Sequence, residues 1–588
     1  MRILGISFGH NATAAVLESG RIVFCQSEER INRLKNSLGF PEKTVGYILK
    51  TYGLNNDKAV FYGKFPSSEY LFLQGLNFQS KRLAQWSGRS FGKSAYPFFK
   101  YCCWKLINKP FVWLYIIKDR TIFYAVESNR HLRRKGVNFF SQSLKIDNSK
   151  VVFMDHHTSH ALAPCFNLNE KTLIFTLDGA GDNLCGSVSV YDRGEFEILA
   201  RVHKFNSLGL LWSNLAVFLG MKPIEDEYKI MGLAPYAKKE HAERICGEFR
   251  KILWLNSNNE FRSAFPAGLA GFFYLSNFIN ERFDNLAGGI QMFTEEMVTD
   301  WIRGWIGKTG IRNIALSGGL FMNVKLNQKI GEMEEVGGIF IMPSGGDEST
   351  VFGACFYGYK KYCEENELPF EPKPFDNLYL GQDFTDEEIK KYINDNKIIK
   401  KHKVELYDNI EKKISELLAA NQIVARFKGP MEFGARALGN RSILAHPSNF
   451  DNVRLINKMI KSRDFWMPFA PSILEEEADM YIVNPKKIKA PYMTITFNTT
   501  ELGREHLKAA IHPYDFTTRP QIVSKEQNLD YYGLIREFKK LTGIGAVLNT
   551  SFNLHGEPIV CSPEDAVRTF ENSGLQYLAL GNYLVQKP

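Results

Sequence analysis

An α/β protein of two or more domains is what this 588-residue chain predicts, on three observations. Near the N-terminus and again after Val151 one order of elements recurs: strand, glycine-bearing turn, strand, tight hairpin turn, strand. A further apolar strand ends in a Ser-Gly-Gly turn and runs into a helix. An acidic, proline-bearing stretch, CEENELPFEPKPFDNLYLG, then separates this region from a second one with its own strands and arginines. The length agrees, since one hydrophobic core rarely serves so long a chain.

The opening segment LGISFGHNATAAVLESGRIVFCQSEERINRLK reads as three strands that give way to helix near Ile31. Between about Lys64 and Asn138 the pattern changes. From Lys81 to Lys135 thirteen Lys or Arg stand against two acids, with Trp86, Trp104 and Trp113 interleaved. That mixture suits nucleic acid or a membrane-surface face, and equally a helical insertion that packs its rings and solvates its charges. Lys100, Lys105 and Lys109 break its apolar run, so it does not span a membrane. After Val151, KTLIFTLDGAGD is an apolar strand ending in an Asp-Gly turn, and DRG supplies the hairpin turn that follows. In IRNIALSGGLFMNVKLNQKI the helix N-terminus is available to an anion or a ribose. Paired glycine-turn hairpins, one in each half of a lobe pair, are how actin and the sugar kinases hold nucleotide phosphates. Small residues let backbone N–H groups approach the anion.

DHHTSHALAPC, beginning at Asp155, carries the sharpest chemical signal. His156 and His160 stand four apart in a run that can be helical, so both imidazoles share one face and can reach one metal ion. Such pairs are often ordinary core or surface residues, and His157 beside them adds to the chance of coincidence. A third candidate ligand, Asp347 of IMPSGGDESTVFGAC, follows an apolar strand and two glycines. Two imidazoles and a carboxylate leave coordination positions open, as a reacting metal requires. The set suits Fe(II), Zn or Mn without choosing among them.

The second α/β unit, beginning near Phe375, has the landmarks VARFKGPMEFGARALGNRSILAHP, KSRDFWMPFAPSIL, HPYDFTTRPQIV and LNTSFNLHGEPIV. Arg436, Lys461, Arg463 and Arg519 sit there beside glycines and amides, and arginine forks match phosphate oxygens bidentately. The formal net charge of +9 fits anionic ligands such as nucleotides and acyl phosphates. Nine cysteines without a CxxC pair exclude a disulfide framework and read as reduced thiols. With a strand at the start and no secretory pattern, a cytoplasmic protein is expected.

On GH near the start, EERINRLK, DHHTSHA, DGAGD, EYKIMGLAPYA, LSGGLFMNVKLN, SGGDESTVFGA, MEFGARALGNRSILA, PFAPSIL, TRPQ and NTSFN, the chain resembles the NodU/CmcH O-carbamoyltransferases nearly end to end. The resemblance implies an actin-like lobe pair (the ASKHA fold, like the tRNA threonylcarbamoyladenosine transferase) over residues 1–365, with an insertion at about 64–138. It implies a YrdC-like α/β domain over 366–588 that converts carbamoyl phosphate and ATP, with Mg, into carbamoyl adenylate. The carbamoyl group then passes to a hydroxyl of a small molecule at the metal-containing lobe.

Carried over by motif, the metal ligands are His156, His160 and Asp347, with Asp178 near both metal and adenylate, and the implied metal is Fe(II). His10 matches the general base for the acceptor hydroxyl. Lys35, Gly209, Gly319 and Asn323 fall where the family holds carbamoyl adenylate, and Lys229 neutralises phosphate. Arg436, Arg519, Asn549 and Ser551 match the ATP and carbamoyl phosphate site, with Lys461, Arg463 and Asn553 close in sequence. Where some relatives have Arg before PFAPS, this chain has Met467, and Arg463 is the expected substitute. A nucleic-acid partner is not expected and a homodimer is compatible. The competing readings are a tRNA-modifying threonylcarbamoyl transferase and a non-enzymatic nucleotide switch of the actin class.

Overall fold

Residues 2–53, 59–64 and 151–588 are described by the computed structural model of the chain. The aromatic-basic segment 81–135 lies outside the described residues. Contacts divide the chain into two units. The first comprises Met1–Ile22, Asn36–Met322 and Glu334–Lys373; the second comprises Val23–Lys35, Asn323–Met333 and Pro374–Pro588.

One five-stranded plan occurs twice. β1 (Arg2–Ser7), β2 (Thr13–Glu18), β3 (Arg21–Ser27), β4 (Ala59–Lys64) and β5 (Val151–Met154) lie in the order β3-β2-β1-β4-β5. β1 runs antiparallel to β2 and parallel to β4, which is parallel to β5. β6 (Thr172–Gly181), β7 (Leu184–Asp192) and β8 (Glu195–His203) precede a short hairpin of β9 (Leu253–Leu255) and β10 (Phe261–Ser263). β11 (Asn313–Ser317) and β12 (Gly338–Ile341) complete a second sheet in the order β8-β7-β6-β11-β12, where β6 is likewise antiparallel to β7 and parallel to β11, which is parallel to β12. This duplicated plan is the expected actin-like lobe pair. Ser19-Gly20 and Arg193-Gly194 both take positive φ, giving two-residue turns whose twist matches the strands they join. β1 and β2 are buried almost end to end, and β6 from Thr172 to Leu177, which is why they read as continuous apolar runs.

The Asp-Gly turn expected at 178–179 is displaced. β6 continues to Gly181, and the chain reverses at Asp182-Asn183, both at positive φ. A register shift between Leu177 and Gly181 absorbs the extra residues, leaving Asp178 on a bulged strand.

The second unit is built on eight strands. β13 (Lys403–Leu406), β14 (Val424–Phe427), β15 (Arg441–Ala445) and β16 (Ala470–Leu474) come first. A small pair follows, β17 (Phe497–Asn498) and β18 (Thr517–Thr518), then β19 (Gln521–Val523), β20 (Ala546–Ser551), β21 (Tyr577–Leu580) and β22 (Tyr583–Gln586). The main sheet has the order β13-β22-β21-β14-β15-β20-β16-β19 and is mixed. A core including Ile443, Leu548, Phe552, Phe570 and Leu578 packs around it. Of the stretch 363–381 read as a linker, the first three residues belong to the helix Thr350–Glu365 and the rest forms no regular element.

Candidate functional site

In the first unit, the seven-residue helix His156–Leu162 begins at Asp155, whose side chain accepts from Thr158 N at 2.8 Å. Asp182 Oδ2 accepts from His156 N at 2.7 Å, so two carboxylates answer the free N–H groups of this helix end. A methyl at Gly181 would lie 2.2 Å from the His156 ring, and one at Gly353 would lie 1.9 Å from Ser159 O. Those two glycines let strand and neighbouring helix close on the histidines.

His156 and His160 are fully buried, with ring centroids 4.5 Å apart. His156 Nε2 lies 2.9 Å from Asp178 Oδ2 and 3.6 Å from Asp347 Oδ1, and His160 Nε2 lies 3.7 Å from the same oxygen. One ligand atom from each of His156, His160, Asp178 and Asp347 falls within 4.8 Å of the others. Both ring nitrogens of His160 and Nδ1 of His156 are buried without a hydrogen-bond partner among the described residues. Leaving such groups unpaired costs about 1–3 kcal/mol each. Two imidazole nitrogens and two carboxylates around one point are a donor set for a divalent ion, and the residues fit one. Burial and the neighbouring His156 lower the His160 pKa, which keeps the ring neutral and able to ligate. Burial would raise Asp178, yet the His156 hydrogen bond and the imidazoles hold it below the carboxylate range.

The other expected residues of this unit stand close by. A methyl at Gly209 would lie 2.8 Å from Asp178 O, and one at Gly319 would lie 2.7 Å from Asp178 Oδ1. Gly209 therefore packs against the backbone of Asp178, and Gly319 against its carboxylate. Ser207 caps the helix Leu208–Phe218 and donates to Gly179 O at 2.6 Å, fixing that approach. His10 occupies the β1–β2 turn, moored on either side. Ser7 Oγ donates to Asp347 O at 3.2 Å, and Asn11 Nδ2 to Glu348 Oε2 at 3.2 Å. Glu348, which the sequence did not single out, is buried, and burial pushes its carboxyl up against hydrogen bonds from Ser344 and Asn11. Lys229 pairs with Asp226 at 3.2 Å.

Lys35 and Asn323 belong to the second unit, so the four residues expected around carbamoyl adenylate divide between units. Asn323 caps the helix Val324–Glu332 with its own side chain, and a 3-10 turn at Gly319–Met322 intervenes after the glycines. The helix end expected to be open to an anion is thus already capped at Leu326 N. The EERINRLK segment is bound into the second unit. Arg30 donates to Gly434 O at 2.7 Å, and Arg33 donates to Pro558 O at 2.7 Å and Ile559 O at 2.6 Å.

In that unit the basic residues converge. Lys461 is 3% exposed and donates to Ser551 Oγ at 3.1 Å and to Asn553 Oδ1 at 2.7 Å. Burial, with Arg463 and Lys35 nearby, lowers its pKa well below the usual lysine value. Arg463 donates to Thr550 Oγ1 at 3.0 Å and lies over the Phe469 ring. Arg519 is lowered by burial and by the charges of Arg436 and Arg463. Five cations thus act on one another at a place where, among the described residues, Lys461 bonds only to neutral oxygens. An oxyanion is the ligand that relieves this repulsion. Asn549 is 1% exposed, and its Nδ2 donates to Ala437 O, Ser472 Oγ and Gln521 Oε1 at 3.1, 3.0 and 3.3 Å. Its bond to Ala437 O holds the backbone next to Arg436.

Comparison with known proteins places this geometry. The family description "Carbamoyltransferase N-terminus" matches residues 2–356, and "Carbamoyltransferase C-terminus" matches residues 415–587. An uncharacterised protein of Methanocaldococcus jannaschii is 31% identical over 100% of this chain and 99% of its own length. Nodulation protein NolNO of Sinorhizobium fredii is 29% identical over 99% of this chain and 79% of that protein. Among solved structures, HypF of T. kodakarensis aligns with 64% of this chain and 49% of its own, at 12% identity and a TM-score of 0.31.

Proposed function

The chain belongs to the carbamoyltransferase family, and on that footing we propose an ATP-dependent O-carbamoyltransferase with two divided tasks. The enzyme is a transferase. We assign activation to the region 366–588 and transfer to the region 1–365, where the convergence of His156, His160, Asp178 and Asp347 carries the reading.

Activation is an exchange of leaving groups. Water hydrolyses carbamoyl phosphate to carbamate and inorganic phosphate, and a carbamate oxygen then attacks the α-phosphorus of ATP, displacing pyrophosphate to give carbamoyl adenylate. Every reactant and product there is an anion. Lys35, Arg436, Lys461, Arg463 and Arg519 supply the charge to hold them, and Ser551 lies beside Lys461. A bound Mg would accompany ATP. Making the adenylate in an enclosed site limits its loss to water.

Transfer requires a hydroxyl to attack the carbamoyl carbon while AMP departs. His10 accepts the hydroxyl proton as general base, for a gain of about 10²–10⁴ in rate. Gly209 and Gly319, which pack closely against Asp178, are adenylate contacts in this reading, with Asn323 and Lys229 as further ones. A divalent ion held by the four-residue cluster, Fe(II) in this reading, supplies Lewis-acid polarisation of the carbamoyl carbonyl. Among the described residues no helix is long and apolar enough to cross a membrane; a cytoplasmic enzyme acting on a small molecule is part of this proposal.

The experiment is to incubate purified protein with ATP and labelled carbamoyl phosphate, with and without threonine, and to follow AMP. Carbamoyl-phosphate-dependent AMP release without threonine is expected. Dependence on threonine would instead support the tRNA-modifying reading. His10→Asn should abolish transfer and leave ATP–pyrophosphate exchange in place.

A further inference from the structure

One buried carboxylate of the second unit is hydrogen-bonded to backbone amides. Glu432 is 4% exposed. Its Oε1 accepts from three backbone N–H groups: Leu438 at 2.8 Å, Asn440 at 2.8 Å and Arg441 at 3.0 Å. Its Oε2 is buried with no hydrogen-bond partner among the described residues. A carboxylate taken out of water and spent on main-chain amides is costly unless it fixes something.

What it fixes is a loop. Residues 433–438 leave Glu432 and return to it, with Arg436 between the two ends. The loop's outer groups are also held. Gly434 O receives Arg30 Nη2 at 2.7 Å, and Ala437 O receives Asn549 Nδ2 at 3.1 Å. Leu438 O receives Tyr379 Oη at 2.7 Å and Gln521 Nε2 at 2.9 Å, and Gly439 O receives Arg426 Nη1 at 2.9 Å. Gly434 and Gly439 take φ of +94° and +115°, which lets the chain bend sharply into and out of this ring. Only Ala435 is exposed and only Arg436 partly so; the rest of the loop is buried. The architecture presents one guanidinium from a rigid ring.

We propose that Glu432 is the positioning residue of the anion site, closing the 433–438 loop through three backbone amides so that Arg436 stands where the substrate oxyanion binds. The inference rests on the reading of Arg436 as part of the adenylate-forming site. Glu432 touches no substrate. Its effect passes through Arg436, and that distinguishes it from a carboxylate that merely stabilises the domain.

The test is a double-mutant cycle on the full chain, read by ATP–pyrophosphate exchange in the presence of carbamoyl phosphate. Glu432→Gln keeps a carbonyl oxygen for the amides but removes the charge that grips all three. Glu432→Asp keeps the charge and withdraws it by one methylene, so it serves if the glutamine variant does not fold. With Arg436 present, either change should lower kcat/KM for exchange about tenfold, chiefly through a higher KM for carbamoyl phosphate. In an Arg436→Ala background the same change should cost less than about twofold, because the residue it positions is gone. Equal losses in both backgrounds, or none in either, would overturn the proposal. If Arg436→Ala alone leaves exchange intact, the adenylate reading of the site falls, and the proposal with it.

Discussion

In the first unit two carboxylates and two buried imidazoles crowd within 4.8 Å, while in the second Lys461, Arg463 and Arg519 lie among cations, with Arg436 and Lys35 acting on them. Each cluster is unfavourable by itself. Unpaired imidazole nitrogens and desolvated ammonium groups both cost free energy that a ligand of suitable charge offsets. The first wants a cation and the second an anion. One chain thus carries two preorganised sites of opposite appetite, which is what activating an anion at one place and polarising a carbonyl at another demands.

The comparison is broken most severely by removing a ligand from the first cluster. His160→Ala should lose bound metal by elemental analysis and lower carbamoyl transfer about 10³-fold, several kcal/mol of lost carbonyl polarisation. Exchange should stay within about twofold if the sites are separate. Arg436→Ala is the converse, with exchange falling about 10²-fold and metal content unchanged.

A smaller effect is expected at Gly181, where an added methyl meets the His156 ring at 2.2 Å. Gly181→Ala should cost about 1–3 kcal/mol of strain in this well-packed site and weaken metal binding by roughly tenfold, as read by competition with a chelator. Stability of the second unit should be unaffected.

The smallest effect is a pH dependence of the second site. Lys461 has its pKa lowered by burial and by Arg463 and Lys35. A bound oxyanion favours the ammonium form and raises that pKa again, so binding takes up a proton. Affinity for carbamoyl phosphate should therefore fall as pH rises above the free-enzyme value, by at most about tenfold per pH unit. Calorimetry in buffers of different ionisation enthalpy measures the uptake, and Lys461→Met should remove it.

Much of this was legible in the residues, for identifiable reasons. The spacing of His156 and His160 translates directly into a shared helix face, and the glycines before Asp347 mark a loop that must approach other backbone closely. The duplicated sheet plan was visible because its hairpins use two-residue turns of recognisable composition. Asp178 was placed in a turn because Asp-Gly ordinarily makes one, whereas the bulge lets β6 run on to Gly181. The helix end after Ser317 looked open to an anion, and only the fold shows Asn323 capping it. Glu432 left no mark in the sequence, since three backbone amides around a carboxylate have no residue signature.

The division of labour is tested most directly on protein stripped of its tightly bound ion and then given Mg and ATP. With carbamoyl phosphate present, such protein should sustain ATP–pyrophosphate exchange at nearly the untreated rate while transferring no carbamoyl group to an acceptor hydroxyl. Loss of exchange together with the ion would contradict two independent sites.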